Sequence, residues 1–376
     1  LAALAALAAL LAAPGPAPPP TGLPAFTLQS VPVGLPPRLV EAGDLDGDAD
    51  IDLVVLAQDE DATRTLVLRN HGAAGFGLWW QDEIGWQDNW GLDLELGDVD
   101  EDADLDLVLN VPFYGVAVRL NAGDATFDTL INVGDQGLNV DQELADMDDD
   151  GVLDIAHYEL DLIGYVGARR GIGDGTFQLM NDLPLSPPIQ SDLRIVLGDV
   201  SGDGLYDMLL AAQSGLHRVD GQSVQTWPFP IWDPPATLLA GGAFSDVVTG
   251  DLDGDGRLDV AATSRSASAV AVLLGLPGGG LAPPVFHPAG SLPAALAIAD
   301  LDSDGVRDAA VLNRRGVLSV LLGTGQGGLA SPISLQVGRQ LSDVTAADLD
   351  GDGDIDLAVT DAVSGSVVLM WNQLVP

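Results

Sequence analysis

One nine-residue pattern recurs from end to end of this chain and limits what it can become. It begins at Asp44 (DLDGDADID), Asp98 (DVDEDADLD), Asp146 (DMDDDGVLD), Asp199 (DVSGDGLYD), Asp251 (DLDGDGRLD), Asp300 (DLDSDGVRD) and Asp348 (DLDGDGDID). Successive copies lie 54, 48, 53, 52, 49 and 48 residues apart. A period near 50 residues is the signature of propeller blades or another repeat array, in which each unit buries its apolar face only against its neighbours.

Each copy sits in the same surroundings. Gly or Ala precedes the first Asp in all seven. A short apolar stretch lies upstream, as in Ala294-Ala-Leu-Ala-Ile298, and an aliphatic or β-branched run follows, as in Leu53-Val-Val-Leu56. A further apolar run, a Gly-rich turn and often Phe76, Phe127, Phe177, Leu281 or Leu329 complete the unit. No helical period is present, so four short antiparallel strands per repeat are expected, which describes an all-β, seven-bladed β-propeller. The last repeat ends after its third strand, at Gly365–Asn372, and an orphan strand around Phe26–Val31 precedes the first. If that N-terminal strand completes the last blade, the ring closes and no sheet edge is left open. Linear stacking would leave the orphan strand unexplained.

Within the motif, positions 1, 3, 5 and 9 carry Asp, with Ser201 the one exception, and alternate side chains of a tight loop converge on one point. Position 2 is apolar throughout, and position 6 is Gly or Ala, as a sharp turn requires. Carboxylates this close do not all stay ionised without a cation. A hard divalent ion with oxygen ligands fits, and calcium, which takes six to eight, fits better than magnesium. The expected ligands are Asp44, Asp46, Asp48 and Asp52; Asp98, Asp100, Asp102 and Asp106; Asp146, Asp148, Asp150 and Asp154; Asp199, Ser201, Asp203 and Asp207; Asp251, Asp253, Asp255 and Asp259; Asp300, Asp302, Asp304 and Asp308; and Asp348, Asp350, Asp352 and Asp356. Up to seven structural Ca2+ ions follow, with the Ser201 loop the weakest. A backbone carbonyl at position 7 and water would complete each shell. This is not an EF-hand, which needs a Glu at position 12 and flanking helices. One such loop alone would be read as a polar turn; seven in register are not. At calcium about tenfold above Kd each site adds roughly 1.4 kcal/mol, on the order of 10 for seven.

Composition supports the same reading. There are 56 acidic and 14 basic residues, the latter all arginine, for a formal charge of −42, a field that repels nucleic acid and anionic membranes. Disorder does not suit a chain that is 47% hydrophobic, and salt adaptation is unneeded when calcium cancels the local repulsion. The absence of cysteine removes disulfides and thiolate metal sites. Residues 1–13 are only Leu and Ala, too few to span a bilayer, and read with the Pro-rich stretch to residue 22 as the end of a truncated signal peptide. Residues 23–376 then form one secreted or cell-surface domain, a monomeric propeller with no membrane span.

The repeat resembles the FG-GAP and VCBS-type repeats found in the N-terminal propeller of integrin alpha chains, and the likeness covers about residues 24–376. It implies that the Asp loop joins strands 1 and 2 of each blade and holds calcium on one face. The copies at Asp98 and Asp146 depart from it with Glu101 and Asp149 in place of Gly at position 4, and the Phe-Gly pair survives only at Phe76-Gly77. This places the chain nearer the VCBS branch.

On the opposite face a ligand surface is expected, built from Trp86, Trp90, Tyr114, Tyr158 and Trp232, with glycan or an extracellular protein as partner. Aromatic platforms edged by Asp88, Asn89, Asn110 and Glu159 would stack on sugar rings. The competing reading is packing between blades, above all for Trp79 and Trp80. Function is read as a non-catalytic adhesion, ligand-binding or scaffold module. The alternative is a calcium-dependent polysaccharide lyase or hydrolase with Tyr114, His157 or Tyr158 as base. No catalytic motif is present: the four His are dispersed, and Gly171-Ile-Gly173-Asp-Gly175 is a blade turn. The pairs Arg169-Arg170 and Arg314-Arg315 are candidates for acidic sugars or ordinary surface charges.

Overall fold

The computed structural model describes residues 24–59, 63–83, 93–111, 115–128, 130–133, 139–160, 164–185, 194–224 and 227–373. The segment read as a signal peptide lies outside them, as do Trp86, Trp90 and Tyr114.

Seven four-stranded antiparallel sheets form the seven blades of a propeller. The second strand of a blade is buried, along its whole length at Asp259–Ser264 and Asp308–Asn313 and up to the half-buried Glu159 in blade 3, because each sheet is covered by a neighbour on both faces. The fourth strand lies outermost and exposed, as at Val285–Pro288. The core is accordingly divided into seven apolar clusters, one between each adjacent pair of blades. Val54, Leu56, Leu107 and Leu109 fill the space between the first two. Leu53, Val55, Leu349 and Leu369 fill that between the last and the first.

The sequence motif sets the register of every blade. The first and second strands pair so that the residue before the motif lies opposite its ninth: Gly43 faces Asp52, Gly97 faces Asp106, Ala299 faces Asp308 and Ala347 faces Asp356. In blades 1 and 2 the glycine at the former place has a steric cause. A Cβ on Gly43 would stand 2.7 Å from Leu105 Cδ1 of the next blade, and one on Gly97 2.7 Å from Leu153 Cδ1.

Closure occurs as expected. The strand Phe26–Pro32 pairs with Ser366–Asn372, Phe26 opposite Asn372 and Pro32 opposite Ser366, and becomes the fourth strand of the seventh blade. Blade 4 carries an insertion: the strand Trp227–Trp232 pairs with Gly221–Val224 in a hairpin placed between the third strand and the fourth, Ala236–Ala240. No helix among the described residues is long and apolar enough to cross a membrane.

The innermost strands enclose an axial cavity of about 170 Å³. Glu41, Asp93, Glu95, Asp141, Glu143, Asp246 and Asp343 line it, together with Arg194.

Candidate metal loops and the opposite face

Each motif forms the turn between the first and second strands of its blade. Its geometry is built from aspartate side chains closing on their own backbone. The Asp at position 1 accepts the N–H of position 6 in all seven loops, at 2.8–3.0 Å. The Asp at position 5 accepts the N–H of position 7 in all seven. These bonds hold positions 4 and 6 in the left-handed region, as at Gly254 (φ 77°) and Gly256 (φ 83°). Glycine adopts this conformation freely; Ala49, Ala103, Glu101, Asp149 and Ser303 adopt it here at φ 73°, 76°, 62°, 58° and 55°.

The Asp at position 9 has a second task that the sequence does not announce. Asp308 is buried, and its Oδ2 accepts the N–H of Leu301 at 2.8 Å while its Oδ1 accepts that of Gly323 at 2.7 Å. The same pair of bonds recurs at Asp52, Asp106, Asp154, Asp259 and Asp356. At Asp207 the two donors are Ser201 and Gly221. This carboxylate ties the start of the loop to the end of the third strand.

The loops bring the expected ligands together. One oxygen each from Asp44, Asp46 and Asp48 lies within 4.8 Å of the others, and so for Asp98, Asp100 and Asp106; Asp146, Asp148 and Asp154; Asp251, Asp253 and Asp255; and Asp300, Asp302 and Asp304. In the fourth loop, Ser201 Oγ donates instead to Asp199 Oδ1 at 3.4 Å. The donor set suits a hard cation. Asp44 Oδ1, Asp100 Oδ1, Asp148 Oδ1 and both oxygens of Asp302 are buried with no hydrogen-bond donor. Burial, then Asp304 and Asp300, push the Asp302 carboxyl up to about 6. Burial raises Asp308 and Asp356 to about 7, against the pull of their two N–H donors. A dication among these oxygens would supply the charge they lack.

Asparagines that the sequence reading passed over couple the loops to each other. Asn121 Nδ2 donates to Leu45 O of the preceding blade at 2.7 Å and to Leu105 O of its own. Asn70 and Asn372 do the same toward Leu349 and Leu301. Their place in the sequence varies, 18, 15 and 16 residues after the ninth Asp with which they bond, so spacing alone does not announce them.

The expected ligand face is corrected at two positions. Tyr158 has no exposed surface and Trp232 is 3% exposed; both lie in the apolar cluster between blades 3 and 4. Tyr158 stands on a second strand, covered from both sides, so its side chain has no route to solvent. His157 is buried beside Asp182, at 3.6 Å. Trp80 packs edge-on against Phe127 at 5.2 Å, between blades 1 and 2, as the packing alternative expects. Trp79 is 47% exposed, and its Nε1 donates to Asp124 O at 3.0 Å. Arg169 is buried, and Arg170 turns onto the third loop.

The axial carboxylates went unnoticed in the sequence, although they hold fixed places five residues (Asp93, Asp141, Asp246, Asp343) and three residues (Glu41, Glu95, Glu143) before the motif. The aspartates bridge blades: each accepts a backbone N–H from the next innermost strand, Asp93 from Gln142, Asp141 from Ile195, Asp246 from Leu296 and Asp343 from Val40. Arg194 Nη1 reaches Asp93 and Asp141 at 3.0 and 2.9 Å.

A family model described as FG-GAP-like repeat matches residues 251–311 and 300–359, which hold the fifth, sixth and seventh motifs. No curated protein matches the chain in sequence. Among solved structures, BBS1N in complex with ARL6DN is similar over 94% of this chain and 98% of its own, at 13% identity and a TM-score of 0.61. An Agrocybe aegerita lectin, described as recognising non-reducing terminal N-acetylglucosamine, is similar over 90% of this chain and 85% of its own, at 18% identity and a TM-score of 0.55. At these identities the likeness is one of fold.

Proposed function

We propose that this seven-bladed propeller of FG-GAP-like repeats is a calcium-stabilised, non-catalytic binding module of the cell exterior, with carbohydrate as its ligand class. The observation that carries the calcium part is the set of buried carboxylate oxygens without a donor, above all both oxygens of Asp302. A loop that already satisfies its backbone with aspartate side chains has no further internal use for them. Calcium bound there would offset their mutual repulsion and tie the first and second strands of each blade together. Each site would add stability by mass action.

The carbohydrate part is supported by a shared fold with the fungal lectin and by the aromatic residues that cluster in the sequence around Trp79. A propeller fold hosts many functions, so the ligand must be found by binding.

Thermal unfolding in calcium, in magnesium and in chelator tests the first part. A calcium-selective rise of ten degrees or more in Tm is expected; equal midpoints in calcium and chelator would remove it. A glycan array with the calcium-loaded chain tests the second. Binding to a defined sugar class that is lost in the Trp86→Ala, Trp90→Ala double variant is expected, and no binding to any glycan would refute it.

A further inference from the structure

The seven loops are not equivalent, and the difference lies in one residue outside the motif. The position just before the end of the third strand, next to the residue that donates to the ninth Asp, is Arg69 in blade 1 and Arg170 in blade 3. It is Leu120, Asp220, Leu274, Leu322 and Trp371 in the others. Both arginines reach into the loop of their own blade. Arg69 pairs with Asp46 and lies 3.2 Å from Asp48 Oδ2. Arg170 Nε lies 2.8 Å from Asp148 Oδ2, and its Nη2 lies 2.5 Å from Asp150 Oδ2. The same two motif positions, third and fifth, are engaged in both blades. The position-3 carboxylates are almost fully enclosed, at 3% exposure for Asp46 and 1% for Asp148, so these are not loose surface pairs.

Arg69 is also held in place. Its guanidinium lies 4.9 Å from the centre of the Trp79 ring, and Trp79 is itself anchored on Asp124 of the next blade. In blades 2 and 6, where leucine stands at this place, Asp100 Oδ1 and both oxygens of Asp302 have no donor. Blade 5 has an arginine within the loop, Arg257, whose guanidinium pairs with Asp255 at position 5 while its Nε donates to Gly275 O at 3.0 Å.

We infer that Arg69 and Arg170 are built-in counter-cations that divide the calcium loops into two classes, two loops stabilised by the chain's own charge and binding calcium weakly, and the others depending on the metal. This rests on the calcium reading proposed above. The guanidinium occupies Oδ2 of the position-3 and position-5 carboxylates and leaves Asp44 Oδ1 and Asp148 Oδ1 without a donor, so each site keeps oxygens for a metal. A dication entering there meets a fixed positive charge a few ångströms away, and repulsion at that range weakens binding by about tenfold or more. In exchange, the first and third loops keep their form when calcium is low. The chain would lose its metal in steps rather than all at once.

Calorimetric titration of the full chain with calcium chloride, on the wild type and on the double variant Arg69→Leu, Arg170→Leu, tests this. Two sites should bind about tenfold more tightly in the variant. In chelator the variant's Tm should fall below that of the wild type, while in saturating calcium the two should agree. The pair Arg69→Gln, Arg170→Gln removes the charge with less change of shape and should behave alike if the leucine variant does not fold. A variant that binds calcium with unchanged or weaker affinity would overturn the inference and leave the calcium reading standing. A wild-type chain that binds no calcium would overturn both.

Discussion

At the scale of single residues, the ninth Asp of each motif matters most for the fold. Asp308 gives one oxygen each to two backbone N–H groups in a buried setting, those of Leu301 and Gly323. Each would be left without an acceptor in Asp308→Ala, at about 1–3 kcal/mol apiece. Urea unfolding in chelator, where metal plays no part, should show a loss of about 2–6 kcal/mol. Asp308→Asn retains one acceptor oxygen and should lose roughly half as much. A loss below about 0.5 kcal/mol for the alanine variant would mean that these bonds do not hold the loop.

At the scale of elements, the strand Phe26–Pro32 does more than cover its neighbour. It supplies the backbone partners of Ser366–Asn372, and Val31 enters the cluster between blades 7 and 1. Without it the last blade would present an unpaired edge beside the junction that closes the ring. Deleting residues 24–33 should lower Tm by ten degrees or more and cause association that rises with protein concentration, as seen by light scattering during heating. A monomeric variant with an unchanged midpoint would show that the ring does not depend on this strand. The other blades need no such device, because each takes its four strands from one continuous stretch of chain.

At the scale of the whole molecule, the axial cavity concentrates negative charge among the innermost strands. Burial, then Asp343 and Asp93, raise Glu41 from its ordinary 4.5 to about 8, with Arg194 opposing. Burial and the neighbouring carboxylates hold Glu95 and Glu143 well above the ordinary range. A carboxyl with a raised pKa binds its proton more tightly when folded. Its contribution is complete below the unfolded value near 4.5 and is lost as pH rises through the folded one near 8. The chain should therefore lose stability between those values as pH rises. Glu41→Gln should flatten that slope and be more stable than the wild type at pH 8 by on the order of 1–2 kcal/mol. Saturating calcium in the measurement keeps the loop aspartates from titrating in the same window. A variant with the wild-type slope would exclude Glu41 as its source.

The number of blades, the place of each loop, the strand count per blade and the closing strand were all legible in the sequence. Each depends on residues close together along the chain: an Asp pattern with its glycines, a small residue before it, aliphatic runs on either side. A unit repeated seven times states such local rules seven times over. The burial of Tyr158 and Trp232, the asparagine bridges between blades, the axial carboxylates and the reach of Arg69 and Arg170 into their loops were decided only by the tertiary structure. Aromatics on the rim and aromatics between blades have the same local sequence, and what separates them is the neighbouring sheet, about 50 residues away in the chain. Likewise an arginine ending a third strand is an ordinary surface charge until the blade's own turn brings it back, 20 to 23 residues later, against carboxylates that have been taken out of water.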